Sequence, residues 1–151
     1  MPGDEAPAPA PLAGPVVIDA SAVVEYLVAL ALTDAATRLL HLAAEGRVEL
    51  WAPDLVYPES ASALRELVQL EAISASAAEN AVEHLTELPI TAAATAALMP
   101  DVWKLREYLT PYEACYVALA DALGAELVTA ERALAAELRK RGKRARFLDE
   151  V

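Results

Sequence analysis

Histidine, glycine, cysteine and basic residues are scarce in this 151-residue chain, and each scarcity closes off a chemistry. The single cysteine, Cys115, leaves no partner for an internal disulfide and fits a reducing compartment. It lies in an apolar helical stretch and reads as core. Both histidines, His41 and His84, fall within helical patterns away from any strand end, which argues against a zinc site and against a Ser-His-Asp triad. Among the five glycines there is no Gly-rich loop with a Walker-type lysine, so a nucleoside triphosphate site is not expected. Twelve Lys and Arg stand against 23 Asp and Glu, for a formal net charge of -11. Neutralising phosphates needs clustered cations, so a chain of this balance does not bind nucleic acid by bulk electrostatics. No apolar run suits a membrane span, and MPGDEAPAPAPLAGP has neither the basic n-region nor the apolar run of an ordinary signal peptide. The expected location is the cytoplasm, with no membrane partner.

A hydrophobic content of 56% in a chain of this length supports one domain with a sizeable core. Five of the ten prolines fall in the first fifteen residues, so residues 1–15 are expected to form an extended, mobile Pro/Ala-rich tail and residues 16–151 the folded domain. Within that domain VVI is a short β-branched run ending at Asp19, and Ser21 can cap the apolar helix that follows. A second helix is expected over 33–46, ended by Gly46, and then the strand VELWA, broken by Pro53. Glu59, Ala63, Leu64, Leu67 and Val68 have the spacing of one buried helix face. Two Ala-rich helices, 76–88 and 95–109, read as scaffold. Thr110, Pro111 and Glu113 form the start of a helix with a Thr-x-x-Glu capping box, and Gly124 ends it. ELVT is a strand, Glu131 opens a helix, and RFLDEV is an edge strand. Strands alternating with helices argue for a three-layer α/β/α domain around a mainly parallel sheet.

Four acids stand where these strands end or helices begin: Asp19, Glu59, Glu113 and Glu131. In an open parallel sheet such positions converge on one crevice, and gathered carboxylates suit a hard cation rather than a core. Each acid also has a bland reading, since Asp and Glu near helix N-termini favour the dipole alone. That reading is strongest for Glu113, the acid of a capping box, and weakest for Asp19. Six of the twelve basic residues cluster between Arg139 and Arg146. They read first as a solvated helix end, with a local nucleic-acid contact through Arg139, Arg141 and Arg144 as the alternative. Trp51 and Trp103 are candidate base-stacking surfaces, with partly buried core as the simpler reading.

The runs VVIDASAVVEYL, PDLVYPE, YEACYVALA and LVTAERAL, in that order, resemble the PIN-domain ribonucleases, in particular the VapC-type toxins of bacterial toxin–antitoxin pairs, over nearly everything from Val16 to Val151. By resemblance, Asp19 and Glu59 match the first two acids of the family's metal site, Ser21 the hydroxyl residue after the first, and Thr129 the polar residue before the fourth. Glu113 and Glu131 stand where the family usually has Asp, and they keep the family's separation of 18 positions. The resemblance implies a PIN-like domain, a Mg²⁺ or Mn²⁺ cofactor, an RNA substrate cut to leave a 5′ phosphate and a 3′ hydroxyl, a cognate antitoxin and a homodimer. Direct metal ligation is expected of Asp19 with Glu113 or Glu131, and an outer or second-metal role of Glu59. The two longer side chains displace carboxylates by roughly 1 Å, and misplacement on that scale can cost about 10²-fold in rate. The alternative is therefore a weakened or inactive PIN domain retained to bind its partner. Phosphohydrolases with an aspartyl nucleophile want a second Asp two residues after the first, where this chain has Ser21.

Overall fold

The computed structural model describes residues 7–151. Five strands, β1 (Gly14–Ile18), β2 (Val48–Pro53), β3 (Ile90–Ala93), β4 (Glu126–Thr129) and β5 (Ala145–Phe147), form one sheet in the order β3-β2-β1-β4-β5. Every pairing is parallel, so each connection is a crossover through helix. The helices are α1 (Ala20–Leu27), α2 (Thr33–Ala44), α3 (Val56–Gln69), α4 (Ala75–Leu85), α5 (Met99–Lys104), α6 (Pro111–Leu123) and α7 (Arg132–Lys140). The first two crossovers step towards β3 and the last two towards β5. Right-handed connections then put the two helical groups on opposite faces of the sheet. Accordingly α1 packs against α2, α3 and α4, while α6 lies across β1, β2 and β4.

The strands read as continuous apolar runs because both of their faces are covered: Val16, Val17, Ile18, Leu50, Leu127 and Val128 are all buried. Helix α6 is buried over seven consecutive residues, Ala114 to Ala120, so it threads the interior and shows only its ends. Gly124, at φ 62°, ends it in the left-handed region where a side chain is strained. A smaller cluster of Val24, Val28, Leu64 and Ala81 joins α1, α3 and α4.

Three local expectations change. Ile90–Ala93 is an edge strand that was not anticipated, paired to β2 from Leu50↔Ile90 to Pro53↔Ala93. The stretch expected as one helix over 95–109 is a 3-10 turn, the short α5 and a turn, with Pro100 at the start of α5. At the end of the chain the strand covers only Ala145–Phe147, and Leu148–Glu150 is a 3-10 turn. Of the segment assigned to a tail, residues 1–6 lie outside the described residues. Leu12 is buried in the main core, and β1 begins at Gly14.

Candidate active site

The order of strands reverses between β1 and β4, and the carboxyl ends of these two neighbours deliver the first part of the site. Asp19 follows β1 directly and is the N-cap of α1, with extended backbone and Oδ1 accepting from the Ala22 amide at 3.1 Å. The cap had been expected at Ser21. That residue is already the second of the helix, whereas a cap must keep extended backbone and reach forward. Ser21 does other work: its Oγ donates to Asp19 Oδ1 at 2.6 Å and accepts from the Ala130 amide at 2.9 Å. It also lies 3.2 Å from Thr129 Oγ1, which accepts from the Glu131 amide at 3.1 Å. One hydroxyl pair thereby fixes the end of β1 to the end of β4, and with them Asp19 and the backbone of Glu131.

Glu131 is the N-cap residue of α7, but its side chain makes no capping bond. Glu59 sits in the first turn of α3, and its Oε1 is buried without a hydrogen-bond partner among the described residues. Glu113 forms the capping box of α6: the Thr110 amide donates to Oε1 at 2.9 Å, and the Glu113 amide donates to Thr110 Oγ1 at 3.1 Å. The bland reading of Glu113 therefore holds for one of its two oxygens. All four acids nonetheless line a single cleft of 180 Å³, with Ala20, Ser21, Ala63, Tyr116 and Leu134 completing the wall. No Lys, Arg or His lines it. Among the described residues no three His, Cys, Asp or Glu side chains are yet close enough together to hold a metal ion.

Burial, and for Glu59 and Glu131 the neighbouring acids, raise the carboxyl pKa values. Burial pushes Asp19 up, against the hydrogen bonds of Ser21, Thr129 and Ala22 that pull it down. Glu131, at the solvent edge, is raised by desolvation, then by Asp19 and Glu113. Glu59 is raised from 4.5 to about 7, first by burial and then by Asp19, Glu131 and Glu113. A carboxyl that holds its proton more tightly when folded makes stability fall as pH rises from about 4.5 to about 7, and the penalty is complete above that window. Glu59→Gln is accordingly expected to match the parent's Tm at pH 4 and exceed it by a few degrees at pH 8 in metal-free buffer. A Tm difference that stays constant with pH would contradict this account.

Two residues at the site went unnoticed in the sequence. Tyr116, one helical turn after Glu113, is only 3% exposed, and its hydroxyl has no hydrogen-bond partner among the described residues. The nearby Ala20 amide does not reach hydrogen-bond geometry, and it offers a donor where the O–H needs an acceptor. Burial, with Glu59 and Asp19 beside it, pushes the phenol up and keeps it neutral. An orphaned buried hydroxyl costs about 1 kcal/mol or more. Tyr116→Phe should therefore raise Tm by about 2–4 °C in a chain of this size, and a fall in Tm on thermal unfolding would show that the hydroxyl is bonded in solution. The second residue, Tyr112, lines a neighbouring hollow that shares Glu59 and Glu113 with the cleft. Only Tyr116 had a signal in the sequence, since its spacing of i+3 from Glu113 puts both on one helix face.

The basic segment lies elsewhere. Arg139 donates to Ala145 O at 2.7 Å and pairs with Glu150; Arg141 pairs with Glu137 at 2.9 Å and covers the Tyr108 ring; Arg144 donates to Gly124 O at 2.6 Å. Buried Arg146 pairs with Glu126 at 2.9 Å, and none of these residues lines the cleft. Trp51 is half-buried within β2, and the exposed Trp103 carries the Arg106 guanidinium over its ring.

An all-parallel sheet of this order, with acids from four elements at its carboxyl edge, has PIN-type architecture. Solved structures agree on the fold. Mycobacterium tuberculosis VapC20, described as a sarcin-ricin loop cleaving toxin, superposes with a TM-score of 0.60 at 16% identity, over 81% of this chain and 94% of that one. VapBC2 from Rickettsia felis, bound to a DNA fragment from their promoter, gives 0.64 at 12% identity, over 88% and 98%. No protein-family model matches the chain. Among curated proteins, a VapC ribonuclease of Mycobacterium bovis and ribonuclease VapC9 of M. tuberculosis are each 39% identical over 116 residues, 77% of this chain and 85% of the relative. This chain belongs to the VapC ribonuclease family.

Proposed function

We propose that this protein is a metal-dependent endoribonuclease, the toxin of a toxin–antitoxin pair. The observation that carries the reading is the convergence of Asp19, Glu59, Glu113 and Glu131 on one cleft without a balancing cation. The ribonuclease names of the relatives support it. The donors are of the right chemistry for a hard divalent cation, though their side chains would have to draw together to hold one: every charged group lining the cleft is a carboxylate, and Glu59 Oε1 is buried without a partner among the described residues. Asp19, Glu113 and Glu131 would hold Mg²⁺ or Mn²⁺, with Glu59 outside them or at a second ion. When bound, such an ion supplies charge neutralisation at the phosphate and an acidified water.

The chain's own residues do the rest. Ser21 and the Ala22 amide fix Asp19 Oδ1, so that carboxylate needs no reorganisation when it is used. Glu59, a carboxylate beside the proposed ion ligands in the same cleft, is suited to take a proton from the attacking water. Water oxygen bonds to phosphorus, the bond to the 3′ oxygen breaks, and that oxygen leaves as a hydroxyl once protonated. Arg139, Arg141 and Arg144 could meet RNA only with guanidiniums that already hold Glu150, Glu137 and Gly124, so we assign them to local structure: Arg139 to β5 and the last turn, Arg141 to α7 and Arg144 to the end of α6. A cognate antitoxin and a homodimer complete the proposed assembly. No helix among the described residues is long and apolar enough to cross a membrane, and we place the protein in the cytoplasm.

The test is cleavage of a mixed RNA pool by metal-stripped protein, before and after Mg²⁺ or Mn²⁺ is restored. Cleavage should appear only with the ion. Cleavage that ignores chelation would sink the metal-dependent reading. Calorimetric ion binding without any cleavage would favour the weakened domain that only engages its partner.

A further inference from the structure

Beside the carboxylate cleft, and sharing Glu59 and Glu113 with it, is a more open hollow of 470 Å³ walled by Leu55, Pro58, Ser62, Thr110 and Tyr112. Its size falls in the range of about 300–1,000 Å³ typical of small-molecule sites. Tyr112 is the second residue of α6, and 65% of it is exposed. Its backbone is stiff, because Pro111 precedes it and the Thr110–Glu113 capping box closes around it. A rigid exposed aromatic loses little conformational freedom when something stacks on it. The exposed Trp103 already has a guanidinium over its face, whereas among the described residues no cation covers the Tyr112 ring.

The border of the hollow restricts what can occupy it. Glu59 and Glu113 repel an anion wherever no cation offsets them, and the proposed ion belongs to the cleft, so a phosphate does not belong in the hollow; its remaining walls are apolar or carry hydroxyls. A flat, neutral group with hydrogen-bond donors at its edge fits, and it must be joined to whatever occupies the adjoining cleft. A nucleobase attached to its own sugar-phosphate has that chemistry. We propose that this hollow is the subsite for one unpaired nucleobase of the RNA, stacked on Tyr112 next to the phosphate that the carboxylates address. The inference rests on the nuclease reading and adds a determinant of substrate choice: the strand must be single at this position.

The experiment measures binding by fluorescence anisotropy in the Asp19→Asn background with Mg²⁺ present. The probes are labelled oligo(A) RNA and a strand of equal length carrying abasic ribose-phosphate. Base–aromatic stacking predicts that adding Tyr112→Ala weakens oligo(A) binding about tenfold. Tyr112→Phe keeps most of the affinity, and the abasic strand binds weakly and equally to both proteins. Equal oligo(A) affinity with and without the ring overturns the subsite, as does an equal loss on the abasic strand; either result leaves this face to a protein partner. Wild-type cleavage of the RNA pool, run alongside, separates the two failures. Cleavage with no effect of Tyr112→Ala sinks the subsite alone, and neither cleavage nor RNA binding sinks both.

Discussion

Asp19→Asn is expected to lower metal-dependent RNA cleavage by at least about 100-fold while leaving the protein folded and somewhat more stable. Loss of groups that merely support a metal ligand typically costs 10–100-fold, so loss of the ligand itself should cost more. The fold survives because Asn is as good an N-cap as Asp. Its side-chain oxygen can still accept from the Ala22 amide and the Ser21 hydroxyl. What disappears is a buried charge with a raised pKa, facing three other acids. Unfolding curves beside initial cleavage rates separate the effects: activity should fall as Tm rises. Asp19→Asn protein that cleaves within tenfold of the parent would mean that the cleft is not the reactive centre. A variant that loses both activity and stability would instead show that the charge holds the fold.

The gathering of the four acids was legible in the sequence because its logic is topological. Acids at strand ends and helix starts gather wherever a parallel sheet reverses its order, and Asp19, Glu59, Glu113 and Glu131 do so here. What stayed hidden depends on contacts that no local pattern records. The edge strand β3, ITAA, has one β-branched residue beyond its Thr and little propensity of its own; pairing with β2 makes it a strand. Arg146 reads as one more cation of a basic cluster, yet it is buried, because its register neighbour is Val128 and Glu126 stands two residues before that on the adjoining strand. Leu12 was concealed by the prolines around it, while Arg146, in donating to Ala10 O at 2.6 Å, ties the segment before β1 to β5. The break at Pro100 was readable: proline is tolerated at a helix start and disruptive inside one, which divides the 95–109 stretch where the structure does.

Replacing both long acids, Glu113→Asp with Glu131→Asp, should increase cleavage, by up to about 10²-fold if the two carboxylates are displaced by the length of a methylene. The two positions contribute differently. At 113 the longer side chain reaches back to the Thr110 amide, so its carboxylate is held at the helix cap. An Asp there cannot span that distance easily, which frees the carboxylate for the cleft at a cost of about 0.5–1 kcal/mol in helix stability. At 131 the Glu occupies an N-cap without capping, and an Asp is a favoured cap that recovers a similar amount for α7. The double variant should therefore unfold near the parent's Tm, and its rate gain should not be an effect of stability. Because Mg²⁺ demands near-ideal octahedral geometry, the gain is expected to be larger with Mg²⁺ than with Mn²⁺. The single variants apportion it, and the larger share should belong to 113, the position where the cap and the cleft compete for one carboxylate. If neither ion gives a faster double variant, side-chain length is not what limits this site, and the glutamates are its working ligands as they stand.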